Sequence, residues 1–337
     1  MEHARQPARG LLLAVGAALA FGVGGPFAKS LLEAGWSSNA VVLARCLGVL
    51  AALLAPAILS LRGRWGVLRR NAGVVVAYGG FAVVGAQLFF YTAIRYMPVG
   101  AALLIEYLAP VLLVGIAWAR TRRRPGALVL AGSAAAIAGL LLVVDLGGDR
   151  TQPIGPVLAL VAAFGLVAYF LISARVDPEL PTVALLAASM LVGSVVLLLI
   201  AAVGLGPLDT AFADVRLLGR PAPWWQPLAV VVGVSTLLAY LLGLASSSRL
   251  GSRVASFTGL LEVVFAVIAS WVLLGDLPAP VQLVGGVLIL AGVVLVKAQG
   301  ADRTGQVEHA IPRRRVRSRA MPGGRSARTR EGVRARP

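Results

Sequence analysis

The sequence predicts an all-α polytopic membrane protein of ten transmembrane helices, built as two inverted five-helix repeats. Three observations lead there. The 337 residues are 58% hydrophobic and 13% charged, with mean hydropathy +0.86; a soluble domain carries about 45–50% and about 25%. Apolar runs of membrane-span length recur along the chain. The chain also aligns on itself, and the matching loops carry opposite charge bias.

A helical span needs about 20 apolar residues to cross a ~30 Å hydrocarbon core. Runs between charged or Pro/Gly-rich breaks predict spans at 10–31, 39–60, 72–94, 98–118, 126–144, 154–173, 181–203, 226–246, 252–273 and 280–297. Residues 1–9 form a short basic flank with Arg5 and Arg9. The run after it has full span length, so it is a first helix rather than a cleaved signal peptide. Many spans are rich in Ala and Gly, which suits closely packed helices. The division is then a flank at 1–9, a first repeat at 10–144, a linker at 145–153, a second repeat at 154–297 and a disordered basic tail at 298–337.

The repeat is visible in residue types that composition bias does not align. An offset of 153 carries "RYMPVGAALLIEYLAPVLLVGIAW" (95–118) onto "SRLGSRVASFTGLLEVVFAVIASW" (248–271). Trp118 falls on Trp271, Pro125 on Pro278, Gly132 on Gly285 and Gly139 on Gly292. An offset of 143 carries Phe27 onto Phe170 and one "AFG" (20–22) onto another (163–165); the longer connection at 204–225, with Trp224 and Trp225, absorbs the difference. An odd number of helices per copy forces the second copy to be inverted. The loop "RTRRRP" after the fourth span matches "LLGDLP" after the ninth, where Asp276 stands and no basic residue does. Counted over all loops before the tail, thirteen basic residues lie on the N-terminal side and five on the other. The positive-inside rule then puts both termini in the cytoplasm of a cell-membrane protein.

The tail from 301 holds eleven arginines against Asp302, Glu308 and Glu331. Pro312, Pro322, Gly323 and Gly324 break any helix there, and no aromatic is interleaved for base stacking. Anionic lipid is the expected counter-ion, and no nucleic acid is expected. Cys46 stands alone, so no intrachain disulfide forms. The histidines, His3 and His309, lie in the flanks, and no Gly-rich phosphate loop with Lys occurs. No metal, no cofactor and no enzymatic activity are expected.

Two carboxylates inside apolar runs are the leading site candidates. Glu106, in "LLIEYLAPVLLVG", lies about 12 Å into the fourth span at 1.5 Å per residue, and Glu262 sits at similar depth in the ninth. An ionisable group there costs several kcal/mol facing lipid. It faces a cavity, finds a partner, or stays protonated as a hydrogen-bonded link between helices. Pro110 lacks an N–H and clashes with the carbonyl four residues back, which belongs to Glu106. A hinge there presents a free carbonyl beside a carboxylate, suited to an ammonium group or a proton. Arg45 enters from the same side as Glu106, so it either contacts Glu106 or holds a substrate carboxylate; a snorkelling side chain is the bland alternative. Lys29, near the end of its span, reads as snorkelling. Gln87 and Tyr91, four apart on one face, would line a polar path with Tyr78, although core packing explains them equally. Ser246, Ser247 and Ser248 read as capping or loop residues.

An inverted five-helix repeat is a secondary-transporter architecture. The residues also resemble the EamA family of the drug/metabolite transporter superfamily. The likeness rests on "AFGVGGPFAKSLL", Arg45, "EYLAP" and "LLEVVFAVIASWVLLGDLPAPVQLVGGVLILAGVVLV", over roughly 10–297. Val263 and Asp276 depart mildly from the family's usual Glu-Pro-Val and Gly-Glu. The resemblance implies ten helices, a central path for a small-molecule substrate, and export of amino acids, other metabolites or drugs. "IEYLAP" looks like an amino-acid (threonine/homoserine-type) exporter subgroup. An ion or substrate gradient would drive it, a coupled proton being one candidate. Rival readings are a permease for drugs or other metabolites, or a non-transporting scaffold or enzyme.

Overall fold

The computed structural model describes residues 2–122, 124–144 and 152–310; at 2–8, 247, 248, 250–257 and 299–310 it describes the backbone only. Among the described residues nine helical segments are long and apolar enough to cross a membrane, and Leu261–Leu274 is a shorter apolar helix.

The first segment is split into α1 (Glu2–Gly22) and α2 (Gly24–Glu33). Pro26 has no N–H for the Gly22 carbonyl, and a Cβ on Gly22 would meet the Glu262 carbonyl at 2.7 Å. The break therefore lies where α14 presses closest. α3 (Ser38–Ser60) is started by Ser37, whose hydroxyl accepts the Ala40 N–H at 3.2 Å. After a short α4 (Trp65–Arg70), α5 (Ala72–Ala77) and α6 (Ala86–Ala93) flank a π-helical stretch, Tyr78–Gly85. α7 (Val99–Glu106) and α8 (Ala109–Thr121) form one segment interrupted at Tyr107–Leu108. α9 (Ala127–Val144), α10 (Ile154–Ser173) and α11 (Thr182–Ala202) are regular. α12 (Trp225–Ala229), a second π stretch (Val230–Leu238) and α13 (Ala239–Thr258) run on as one rod. α14 (Leu261–Leu274) and α15 (Pro280–Ala310) complete the chain.

Several expectations are corrected here. The loop expected at 247–251 is helical, so Ser246 lies inside α13 with a buried, unpartnered hydroxyl. The ninth expected span begins late, at Leu261. The N-terminal flank is helical from Glu2, and α15 carries helix past 297 to Ala310. The rest of the tail, and linker residues 145–151, lie outside the described residues. The fold is not purely helical: β1 (Val215–Leu217) and β2 (Arg220–Ala222) form an antiparallel hairpin. Its two-residue turn, Leu218 at φ 55° and Gly219 at φ 71°, has the doubly positive geometry that matches strand twist.

α1 packs on α13, α10 on α6, α3 on α11, and α7 on α14. The tightest pairing is antiparallel, α9 on α15. A Cβ on Gly132 would meet the Gly292 carbonyl at 2.7 Å and one on Gly139 the Gly285 carbonyl at 2.5 Å; the reverse approaches are 2.3 and 2.7 Å. Backbone against backbone is a contact that only small residues permit.

The connections differ between the two ends. At one end, the Trp36 indole donates to Ala211 O at 2.6 Å, Ser37 Oγ to Pro207 O at 2.7 Å, Gln152 N to Tyr96 O and Leu218 N to Leu273 O, both at 3.0 Å. Trp36, Phe212 and Trp224 stack there with ring centres 5.0–6.1 Å apart. Lys29 is not a snorkelling side chain; its Nζ binds Asp276 at 2.6 Å and reaches Glu33 at 4.0 Å. At the other end Arg70 meets Glu179 at 2.9 Å and Asn71 Nδ2 donates to Asp177 at 3.4 Å.

Candidate functional site

Where α1–α2 and α7–α8 are interrupted, they border a cavity of about 340 Å³ with α3, α6, α10, α13, α14 and α15. Arg45, Gln87, Tyr91, Glu106, Pro110 and Glu262 all line it. Tyr78 does not: it lines a small adjoining chamber of about 40 Å³ behind Arg45 and packs edge-on against Tyr169 at 5.6 Å.

Pro110 is not the point of the bend. The interruption comes just before it, and Pro110 sits in the first turn of α8, where a missing N–H costs least. Pro110 still cannot donate to the Glu106 carbonyl four residues back. Leu108 N turns to Ile105 O at 3.0 Å and Val111 N to Leu108 O at 2.8 Å. The Glu106 side chain, 7% exposed, has no hydrogen-bond or ion-pair partner among the described residues. The Glu106 carboxylate thus stands unpartnered among the described residues at the C-terminal end of a half-helix, where partial negative charge already collects.

The contact between Arg45 and Glu106 does not form. Arg45 Nε donates to Thr236 Oγ1 at 2.8 Å, and Nη1 donates to Gln87 Oε1 and, at 3.2 Å, to Tyr91 Oη. The π stretches set this clamp. Thr236 spends its own proton on Val231 O, five residues back, at 2.8 Å, leaving its lone pairs to Arg45. Gln87 is the second residue after the other π stretch. π turns are rare and cluster at functional sites.

Glu262 differs from Glu106 in having a partner. The Tyr107 hydroxyl lies 2.6 Å from Glu262 Oε2 and 3.2 Å from Gly259 O. Tyr107, Thr236, Tyr169, Tyr240 and Lys297 were not singled out by the sequence reading. Thr236 was legible as a polar residue inside an apolar run, and Tyr107 as the neighbour of Glu106. Lys297 lines the cavity from the last turns of the final span.

The EamA-like transporter family model matches residues 8–145 and again 153–298. The chain belongs to the EamA-like transporter family. It is therefore a multi-pass membrane protein of the drug/metabolite transporter superfamily. No curated protein matches it. A solved chain described as "Crystal structure of protein" is similar over 88% of this EamA-like chain and 99% of its own, at TM-score 0.52 and 19% identity. At that identity the likeness concerns the fold alone.

Proposed function

We propose that this EamA-like chain is a secondary transporter that exports a small polar metabolite, such as an amino acid, by alternating access around the central cavity. The observation that carries the reading is Glu106: a buried carboxylate with no partner among the described residues, lining a cavity between interrupted helices. An isolated charge at that depth is costly. It stands ready for a substrate ammonium group or a proton, and its charge then depends on what the cavity holds.

The reading includes ten spans in two inverted copies. The family model matches twice. The 153-residue offset carries the first π stretch onto 231–238, within the second. It also exchanges Gly132 with Gly285 and Gly139 with Gly292, so the two glycine approaches map onto each other, as a two-fold axis requires. Both termini, with the Arg-rich loop at 61–71, lie at the cytoplasmic face of the cell membrane, and the basic tail meets anionic lipid there. Cysteines at Arg122 and Leu277 in a Cys46→Ala background should label from opposite sides; labelling from one side would end the inverted reading.

A second reading has one observation in its favour. Phe21, Phe90, Tyr107, Tyr169, Phe170 and Tyr240 line the cavity, which suits a substrate with an apolar or aromatic part, as a drug permease would carry. Flux of a panel of amino acids and amphipathic cations from loaded proteoliposomes separates the two. Glu106→Gln keeps shape and removes charge. It should abolish driven flux, or its dependence on pH between about 5 and 8, in protein that still inserts. Unchanged flux would make Glu106 a packing residue and sink the proposal.

A further inference from the structure

We infer that Tyr107 and Glu262 form a proton-operated latch between the two interrupted helices, with Tyr107 as the positioning residue that reads the charge of Glu262. Tyr107 occupies the break between α7 and α8. Gly259 occupies the break between α13 and α14. Glu262 stands in the first turn of α14, and its N–H donates to Gly259 O at 3.0 Å. The Tyr107 hydroxyl thus faces two acceptors at once, Glu262 Oε2 at 2.6 Å and Gly259 O at 3.2 Å, and it owns one proton.

Counting protons gives two states. When Glu262 is ionised, the hydroxyl proton goes to the carboxylate, the closer and charged acceptor, and Gly259 O loses that donor. When Glu262 is protonated, its own O–H donates to Tyr107 Oη, and the tyrosine proton turns to Gly259 O. Protonation therefore adds one hydrogen bond between the breaks, and deprotonation removes it. A net hydrogen bond of this kind changes an opening equilibrium by roughly three- to tenfold.

The surroundings leave this assignment to Glu262. Glu106 on α7, Arg45 on α3, Tyr91 on α6, Tyr169 on α10, Tyr240 on α13 and Lys297 on α15 share its cavity. α1 contributes Phe21 and Gly22 there, which do not titrate, and Lys29 on α2 is bound to Asp276 beyond the far end of α14. Arg45 is held by Gln87, Tyr91 and Thr236, and Glu106 by no partner among the described residues. The carboxylate whose protonation rearranges a bond between two helices is Glu262.

The latch deepens the transport reading, and its test needs no substrate. Hydrogen–deuterium exchange of the purified full-length protein in nanodiscs, corrected for intrinsic rates, is followed from about pH 5 to 9 in peptides covering 103–112 and 258–266. Wild type should show a step of roughly three- to tenfold in both peptides, with exchange rising with pH. Glu262→Gln should lose the step and stay at the slow level; Tyr107→Phe should lose it and stay at the fast level. The two variants predict opposite levels, so either one decides if the other does not fold. A step that survives in either variant, or its absence from wild type, overturns the latch. Flux that depends on Glu106 would stand in either case, so the two proposals fail separately.

Discussion

Two antiparallel contacts run through this molecule, and they are built oppositely. Between α9 and α15 glycine faces glycine at both crossings, with a backbone carbonyl the nearest atom each time and the Ala136, Leu142, Ile289 and Leu295 side chains packed beside it. Between α7–α8 and α13–α14 both segments are interrupted, and a cavity opens at the breaks. The first contact leaves no room for a second arrangement, because a close-packed backbone has one fit. The second holds the Glu106 carboxylate, unpartnered among the described residues, and one tyrosine hydroxyl facing two acceptors. In the proposed transport reading the seam is scaffold and the interrupted pair is the working part.

The largest expected effect strikes the seam. Gly292→Leu drives a side chain into the Gly132 carbonyl, which a Cβ alone would already approach at 2.3 Å. Overpacking costs about 1–3 kcal/mol even where side chains yield, and backbone does not. Monodisperse protein should be lost on size exclusion, whereas Gly115→Ala, with nothing within 4 Å of its new Cβ, should behave as wild type. A Gly292→Leu protein that folds normally would erase the distinction. The clamp around Arg45 comes next. Arg45→Met leaves Gln87, Tyr91 and Thr236 without their shared donor, and each stranded polar group costs about 1–3 kcal/mol. The thermal midpoint in detergent should fall by several degrees. A smaller effect is expected where the ends are tied. A double-mutant cycle on Lys29→Met and Asp276→Asn should return a coupling of about 1 kcal/mol, because the pair is only partly screened from water. The smallest lies at the opposite end. The Glu179 N–H and the Asn71 amide hold the Asp177 carboxyl below its ordinary value. A depressed folded value gives stability that is present above the unfolded one, near pH 4, and lost as pH falls further. Asp177→Asn should flatten the acid limb of thermal stability by lowering it slightly at neutral pH while leaving the acid end unchanged.

Legibility followed the physics of each feature. Spans are written in continuous apolar runs, so most segment positions agree with the reading. Pro110 announced an interruption because a missing N–H acts locally, though the break at Tyr107–Leu108 falls just before the proline rather than on it; the break before Pro26 was not read. Glu106 and Glu262 stood out because apolar surroundings make a charge conspicuous. What joins Arg45 to Thr236, or Tyr107 to Glu262, was not legible: those pairs lie 191 and 155 residues apart, and only packing brings them together. The hairpin at 215–222 was missed because its turn uses Leu218, a residue that gives no turn signal. The long α13 was missed because serines and arginines resemble a loop, yet remain helical when their neighbours are.

The uneven bracing of the two ends has a practical side for whoever wishes to image this molecule. The turn at Leu61–Arg64 turns outward at Gly63, whose φ is 73° and whose Cβ position is empty to 4 Å. A rigid carrier domain grafted at Arg62–Arg64 replaces only exposed residues and leaves the cavity untouched. The same graft at 203–224 would sever Trp36 from Ala211 and Leu218 from Leu273. A small protein without soluble bulk thus offers one good handle, on the face away from its aromatic cap.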